Sequence, residues 1–81
     1  EVPRIRQYPC DLPRGARVCH FAMQGISRVF WYSFDETQSP LLEEQRWFVV
    51  AGTGWVVNDV VAHIGTAMEG IYVWHLFEVK P

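Results

Sequence analysis

Hydrophobic residues along this 81-residue chain alternate with polar ones over short stretches, the period typical of β-strands rather than helices. β-Branched and aromatic residues dominate these stretches, and such side chains fit the pleated surface of a sheet. Glycines and prolines stand between them, where turns are needed. The pattern predicts an all-β fold, or a mainly β fold with one short helical turn. We expect a small antiparallel sheet or a barrel-like fold of about five to six strands, in a single domain over residues 1–81.

The first half of the chain contains three predicted strands, at 4–8, 16–23 and 28–35. A connection with two prolines is predicted over 9–15, and Gln24-Gly25 suits a tight turn. The third strand is apolar on both faces. Ser39-Pro40 predicts either one helical turn through Glu44 or a surface loop.

The second half contains three further predicted strands, at 46–51, 63–67 and 71–79. A turn at Glu69-Gly70 joins the last two into a hairpin. Residues 55–61 are ambiguous, because valines surround Asn58-Asp59 in a pattern that fits a hairpin turn or a short helix. The last strand is also apolar on both faces. Two such strands imply either a closed, barrel-like sheet with a covered outside or a sheet packed on another protomer.

Aromatic content and charge restrict the kinds of binding partner that we expect. The chain has 5 Phe, 4 Trp and 3 Tyr, more rings than so small a core accommodates, so we expect some to face a partner, as in a homo-oligomer such as a dimer. The net charge of −2 without a basic patch makes nucleic acid an unlikely partner. No segment has the length of a membrane span, no signal peptide is recognisable, and a cytoplasmic location is expected.

No catalytic or metal motif stands out, so the sequence predicts neither an enzyme, a metal site nor a cofactor. Cys10 and Cys19 are expected to be free, although a hairpin of the first two strands would bring them close. A Cys19–His20 pair acting as nucleophile and base lacks an orienting third group. His20, His63 and His75 do not have zinc-site spacing. His75 is expected to be half-buried and to donate to a backbone carbonyl.

A ligand pocket is the sharpest hypothesis about a site. Gly52-Thr53-Gly54 lacks the lysine of a phosphate-binding loop, so turn geometry explains its glycines. The hydroxyls of Thr53 and Thr66, with an arginine from the N-terminal strand, could nevertheless hold a nucleotide phosphate across a subunit boundary. A tryptophan would then stack on the base. The candidate ligand or partner contacts are Arg4, Arg6, Arg17, Thr53, Trp55, Asn58, Asp59, Thr66 and Trp74.

Several segments together carry a resemblance to a known family: RWFVV at 46–50, GTG at 52–54, HIGT at 63–66 and GIYVWHLFE at 70–78. In these segments, and more weakly upstream, the chain resembles a family of small uncharacterised proteins found largely in bacteriophages and prophages. The resemblance implies a viral origin and a compact β-fold, and it supplies no catalytic residues. WVVND at 55–59 replaces the proline-containing loop usual in that family, so individual function is expected there.

The leading hypothesis is a non-enzymatic phage accessory protein that binds and inhibits a host protein, such as a component of an antiviral defence system, in the manner of an anti-CRISPR protein. One alternative is an oligomeric binding protein that sequesters a small anionic or nucleotide ligand. Another is a structural virion protein.

Overall fold

The computed structural model describes residues 6–35 and 42–81 of the chain. The elements formed by these residues are all β-strands, which confirms the predicted all-β class. They are β1 (Gln7–Pro13), β2 (Arg17–Gln24), β3 (Ser27–Ser33), β4 (Glu43–Gly52), β5 (Val60–Glu69) and β6 (Tyr72–Val79). No helix able to cross a membrane is present in these two ranges.

The strands form two antiparallel sheets, which do not close into a barrel. The larger sheet has the order β1-β4-β6-β5, and the smaller is the β2-β3 hairpin. Two-residue loops close both sequential hairpins, since Gln24 pairs with Ser27 and Glu69 pairs with Tyr72. Each loop begins one residue later than its predicted turn dipeptide. Apart from the first, the predicted strands are confirmed, with shifted ends.

The prediction that 9–15 is a connection was wrong. β1 extends through Pro13, and Pro9 pairs with Trp47 of β4. Proline lacks the N–H that a central strand must donate, but β1 is an edge strand that pairs, among the described strands, with β4 alone. Because β1 pairs with β4, the first two strands do not form a hairpin, and Cys10 and Cys19 are both free.

The predicted helical turn does not extend through Glu44. Residues 39–41 lie outside the described ranges, but Glu43 already begins β4 and Glu44 pairs with Leu12 of β1. The Glu44 carboxylate accepts a hydrogen bond from the Gly15 N–H at 3.1 Å. This contact ties the turn after β1 to the start of β4.

The segment before β5 is neither a hairpin turn nor a helix, so both alternatives for Asn58-Asp59 were wrong. Residues 55–58 are irregular. Asp59 has a φ of 57°, in the left-handed region that aspartate tolerates better than most residues. Its carbonyl accepts a hydrogen bond from the Lys80 N–H at 2.9 Å, which fixes the segment beside the end of β6.

The main core lies between the two sheets. Its buried residues are Leu12, Ala16, Val18, Phe21, Phe48, Ala67 and Leu76. The β2–β3 hairpin comes close to β5 at Gly65, where a Cβ atom would lie 3.3 Å from the Phe21 Cβ and 3.6 Å from the Phe21 backbone nitrogen. A side chain at position 65 would therefore push the two sheets apart.

A second, smaller core lies on the opposite face of the larger sheet. Val49, Ala51 and Val79 are buried there, and Val57 from the 55–59 segment packs against them together with Phe77. Both faces of β6 are thus covered within one chain, by the hairpin on one side and by this segment on the other. Its doubly apolar sequence needs neither a barrel nor a second protomer.

Arg46 joins the larger sheet to the connection between β1 and β2. Its Nε and Nη2 atoms donate to the two carboxylate oxygens of Glu78 at 2.8 and 2.6 Å, and Nη1 donates to the Ala16 carbonyl. The hydrogen bond to Glu78 is the main cause that raises the pKa of Arg46, against the opposing effect of burial. A bidentate pair of this kind fixes the orientation of the guanidinium as well as its distance from the carboxylate.

Candidate functional site

An open cleft of about 310 Å³ lies where the turn after β4 meets β5 and β6, on the face of the smaller core. Its lining residues are Gly52, Thr53, Gly54, Trp55, His63, His75 and Phe77. The volume is at the lower end of the range for small-molecule pockets. The cleft therefore suits a compact ligand.

The Gly52-Thr53-Gly54 segment is a turn, as predicted, and it positions Trp55. The Trp55 N–H donates to the Gly52 carbonyl at 3.1 Å, and Gly54 has a φ of 88° that favours glycine. A Cβ atom at position 52 would lie 3.0 Å from Cε2 of the Trp55 indole. The missing side chain lets the indole pack on the end of β4, at the rim of the cleft.

Four polar side chains form a continuous hydrogen-bonded chain on this face. The His75 ring is central: Nε2 lies 2.9 Å from the Thr53 hydroxyl oxygen and Nδ1 lies 2.9 Å from that of Thr66. The Thr66 oxygen also lies 3.4 Å from Nε2 of His63. The expectation that His75 donates to a backbone carbonyl was wrong, because two hydroxyls occupy its ring nitrogens.

Strand pairing explains how these residues meet. Thr66 lies directly opposite His75 in the β5–β6 ladder, where side chains on one face are neighbours. In a regular strand, His63 and Thr66 would face opposite sides. The register shift between His63 and Gly65 inserts one extra residue, which turns His63 onto the Thr66 face. The His63 ring then packs 5.1 Å from the ring of Phe77, centroid to centroid.

Three predicted ligand contacts converge here, namely Thr53, Thr66 and Trp55. Trp74 touches Trp55, edge to face, at a centroid distance of 5.8 Å, but it packs against the main core on the other face. Its indole N–H donates to Glu69 at 3.0 Å.

The remaining predicted contacts lie away from this cleft. Asn58 and Asp59 are exposed in the segment before β5 and are not among the lining residues. Arg6 lies over the Tyr8 ring at 5.3 Å, at the opposite edge of the larger sheet, and Arg17 is exposed at the start of β2. Arg4 lies outside the described residues. An arginine supplied across a subunit boundary stays a prediction.

Cys19 and His20 each contact Trp31 instead of forming a nucleophile–base pair. The Cys19 thiol donates to the Trp31 carbonyl at 3.7 Å, and the His20 ring lies 5.0 Å from the Trp31 ring. Across residues 6–35 and 42–81, no three His, Cys, Asp or Glu side chains are grouped so as to hold a metal ion.

The two thiols should differ in reactivity. Cys19 is exposed, whereas Cys10 is half-buried, and burial, followed by the nearby Asp11 charge, raises the Cys10 pKa. Since the thiolate is the reactive species, we expect a disulfide reagent at pH 7.5 to label Cys19 at least about 10-fold faster than Cys10. Stopped-flow labelling should give a fast phase that Cys19→Ser removes. Equal rates for both thiols in the folded protein would contradict the difference in burial.

The two layers and the cleft define a small two-sheet β-protein with a polar His–Thr cluster at one end. The chain matches the family model described as "Domain of unknown function (DUF7352)" over residues 1–81, and it belongs to that family. The expectation of an uncharacterised family is therefore confirmed. No curated protein and no solved structure matches the chain.

Proposed function

We propose that this chain is a phage accessory protein that binds and inhibits a host protein, with components of antiviral defence as the first candidate targets. The observation that carries the binding role is the open edge of β3, which is rich in aromatic residues. Trp31, Tyr32 and Phe34 are 43%, 43% and 47% exposed. The phage origin is supported by the resemblance in the strand motifs, and inhibition is the activity we assign to such a binder.

The β3 edge offers both backbone and side-chain contacts. In the described sheets, β3 pairs with β2 alone, so its other edge carries unpaired N–H and C=O groups. Trp31 lies on one face of this edge beside His20. Tyr32 and Phe34 contact each other with ring centroids 6.1 Å apart. A partner strand added here would gain ladder hydrogen bonds and bury aromatic rings.

Charge distribution also favours a partner at this edge. Exposed edges are usually guarded by charged residues or prolines, and β1 has Pro9, Asp11 and Pro13. Residues 29–34 read VFWYSF and contain neither. The one charged residue of β3, Arg28, lies 3.8 Å from Glu69 and over the Trp74 ring. An aromatic edge without charges or prolines favours aggregation of a free protein. In a binding protein the same edge is useful, since aromatic residues often anchor interfaces.

The test compares wild type with a Trp31→Ser/Phe34→Ser variant. Candidate host proteins captured from bacterial lysate by wild type are purified, and their affinity for both forms is measured by calorimetry. Loss of two aromatic anchors should weaken binding by at least about 100-fold. Val56→Ser/Val61→Ser, which alters exposed residues before and within β5, serves as the matched control and should bind normally. Thermal melting verifies that both variants fold.

Three results would overturn this assignment. Equal affinity of the edge variant and the control would place the partner elsewhere on the molecule. A wild-type dimer in light scattering that the edge variant converts to a monomer would make the β3 edge a contact between copies of this chain. Capture of a virion component from a lysate of phage-infected cells, in place of a host protein, would favour the structural virion role.

A further inference from the structure

We propose that the cleft beside β5 and β6 binds a small organic oxyanion, a carboxylate or a phosphate monoester carrying a planar ring, together with one proton. The binding element is the chain Thr53–His75–Thr66–His63, hereafter the His–Thr chain. This site is separate from the β3 edge, so either can be correct without the other. It develops the alternative of a ligand-sequestering protein.

A count of hydrogens explains why an anion would bind with a proton. Two hydroxyls and two neutral imidazoles provide four hydrogens, and the three contacts of the chain use three of them. One hydrogen is left to point outward, either from Thr53 at one end or from Nδ1 of His63 at the other. In the neutral chain, one end therefore donates while the other accepts.

Adding one proton changes this balance. Both nitrogens of a protonated His75 donate, to Thr53 and to Thr66, and Thr66 then donates to His63. The Thr53 hydroxyl and the Nδ1–H of His63 are both left free to donate. Thr53 and His63 both line the cleft. The protonated chain thus offers two donors and a positive charge, which suit an oxyanion, and histidine changes charge between about pH 5 and 8.

The rest of the lining favours a ligand with a flat apolar part. Trp55 and Phe77 contribute aromatic rings to a cleft of about 310 Å³. Exposed aromatic rings offer planar groups an apolar contact surface with defined geometry. A ring the size of benzene or a nucleobase, joined to one anionic group, matches this volume.

Other charged groups near the His–Thr chain do not line the cleft. β4 presents the apolar Val49 and Ala51 to this face. On β5 and β6, Glu69 bonds to Trp74 and Glu78 to Arg46, all on the opposite face. Asp59 and Lys80 are exposed outside the lining residues. In the described part of the chain, His63 and His75 are the two ionisable side chains among the lining residues.

Benzoate is the first probe, because a carboxylate of ordinary pKa stays ionised between pH 5.5 and 8. We expect benzoate to bind at least about 10-fold more tightly at pH 5.5 than at pH 8.0, since histidine gains its charge over this range. Ring resonances of His63 and His75 should shift in NMR titrations. Phenyl phosphate and adenosine monophosphate identify the preferred anion, and benzamide tests the need for charge.

Two variants test whether benzoate binding requires the intact His–Thr chain or only the presence of histidines. Thr66→Val interrupts the chain while keeping both of its histidines, so it should reduce the pH dependence of benzoate binding and weaken binding about 10-fold, consistent with the loss of a charge-assisted hydrogen bond. His20→Gln changes the histidine on β2, outside the cleft, and should bind as wild type does. Trp31→Ser should also bind normally.

The proposal fails under any of three results. These are the absence of His63 and His75 shifts with every anion at millimolar concentration, an affinity for benzoate that does not change with pH, and equal losses in Thr66→Val and His20→Gln.

Discussion

Replacing Arg46 with methionine is expected to lower the free energy of unfolding by about 3 kcal/mol, because one partner of a largely buried ion pair is removed. The side chains of Arg46 and Glu78 are only 17% and 16% exposed. The substitution leaves the Glu78 carboxylate without its bidentate partner and the Ala16 carbonyl without the guanidinium donor. Methionine preserves most of the apolar volume, so the loss reports on the polar contacts. Urea denaturation measures it.

A second arginine pair provides the matched control. Arg28 and Glu69 are 42% and 41% exposed and 3.8 Å apart, and such surface pairs contribute under about 1 kcal/mol. We therefore expect Arg28→Met to cost much less than Arg46→Met. Adding Glu78→Leu to Arg46→Met should recover part of the loss, since it removes the unpaired charge. Equal costs for the two arginines would mean that burial does not strengthen the Arg46 pair.

The alternating pattern was sufficient to predict the number and type of strands but not their places in the sheets. Proline content suggested a connection at 9–15, where the structure has β1. The proline rule depends on whether a strand is central or at an edge, and this is a property of the assembled sheet. The pairing of β1 with β4 joins residues far apart in the chain, which local periodicity does not encode. The Arg46–Glu78 ion pair was not predicted for the same reason, because it also joins residues far apart in the chain.

Part of the His–Thr chain could have been derived from the sequence. With a two-residue loop at Gly70-Ile71, simple counting along the hairpin places Thr66 opposite His75. The participation of His63 depends on the extra residue between His63 and Gly65, and bulges have no reliable local signal. Thr53 reaches His75 from a turn two strands away along the chain. Contacts between neighbouring strands of a hairpin can therefore be predicted from the sequence, whereas contacts that depend on a bulge or a distant turn cannot.

The surplus of aromatic residues, which suggested self-association, has a more specific location in the structure. Trp74 and Phe77 of β6 pack against the two cores within the chain, so they do not require a second protomer, whereas Tyr72 is 60% exposed. The exposed rings of β3 and the residue after it, Trp31, Tyr32 and Phe34, form a group beside an unpaired edge. The proposed partner contacts therefore lie on the smaller sheet. Their geometry depends on how firmly the β2–β3 hairpin packs against the larger sheet.

The attachment of the hairpin can be tested at Phe48. This residue is 2% exposed in the main core, and its ring lies 5.1 Å from that of Phe30 on β3. No strand of the larger sheet pairs with β2 or β3 in the described ranges, so side-chain packing holds the layers together. Phe48→Ala should cost about 3–5 kcal/mol, much of the roughly 4–12 kcal/mol expected for a domain of this size.

Hydrogen exchange distinguishes detachment of the hairpin from uniform weakening. A two-stranded hairpin is marginally stable on its own, so amides of β2 and β3 should lose protection in Phe48→Ala before those of β4 and β6. Phe34→Ala removes the same ring from an exposed position and should cost less than about 1 kcal/mol. Equal loss of protection in all six strands would show that the two sheets unfold as one unit, and the β3 edge would then be as rigid a binding surface as the larger sheet.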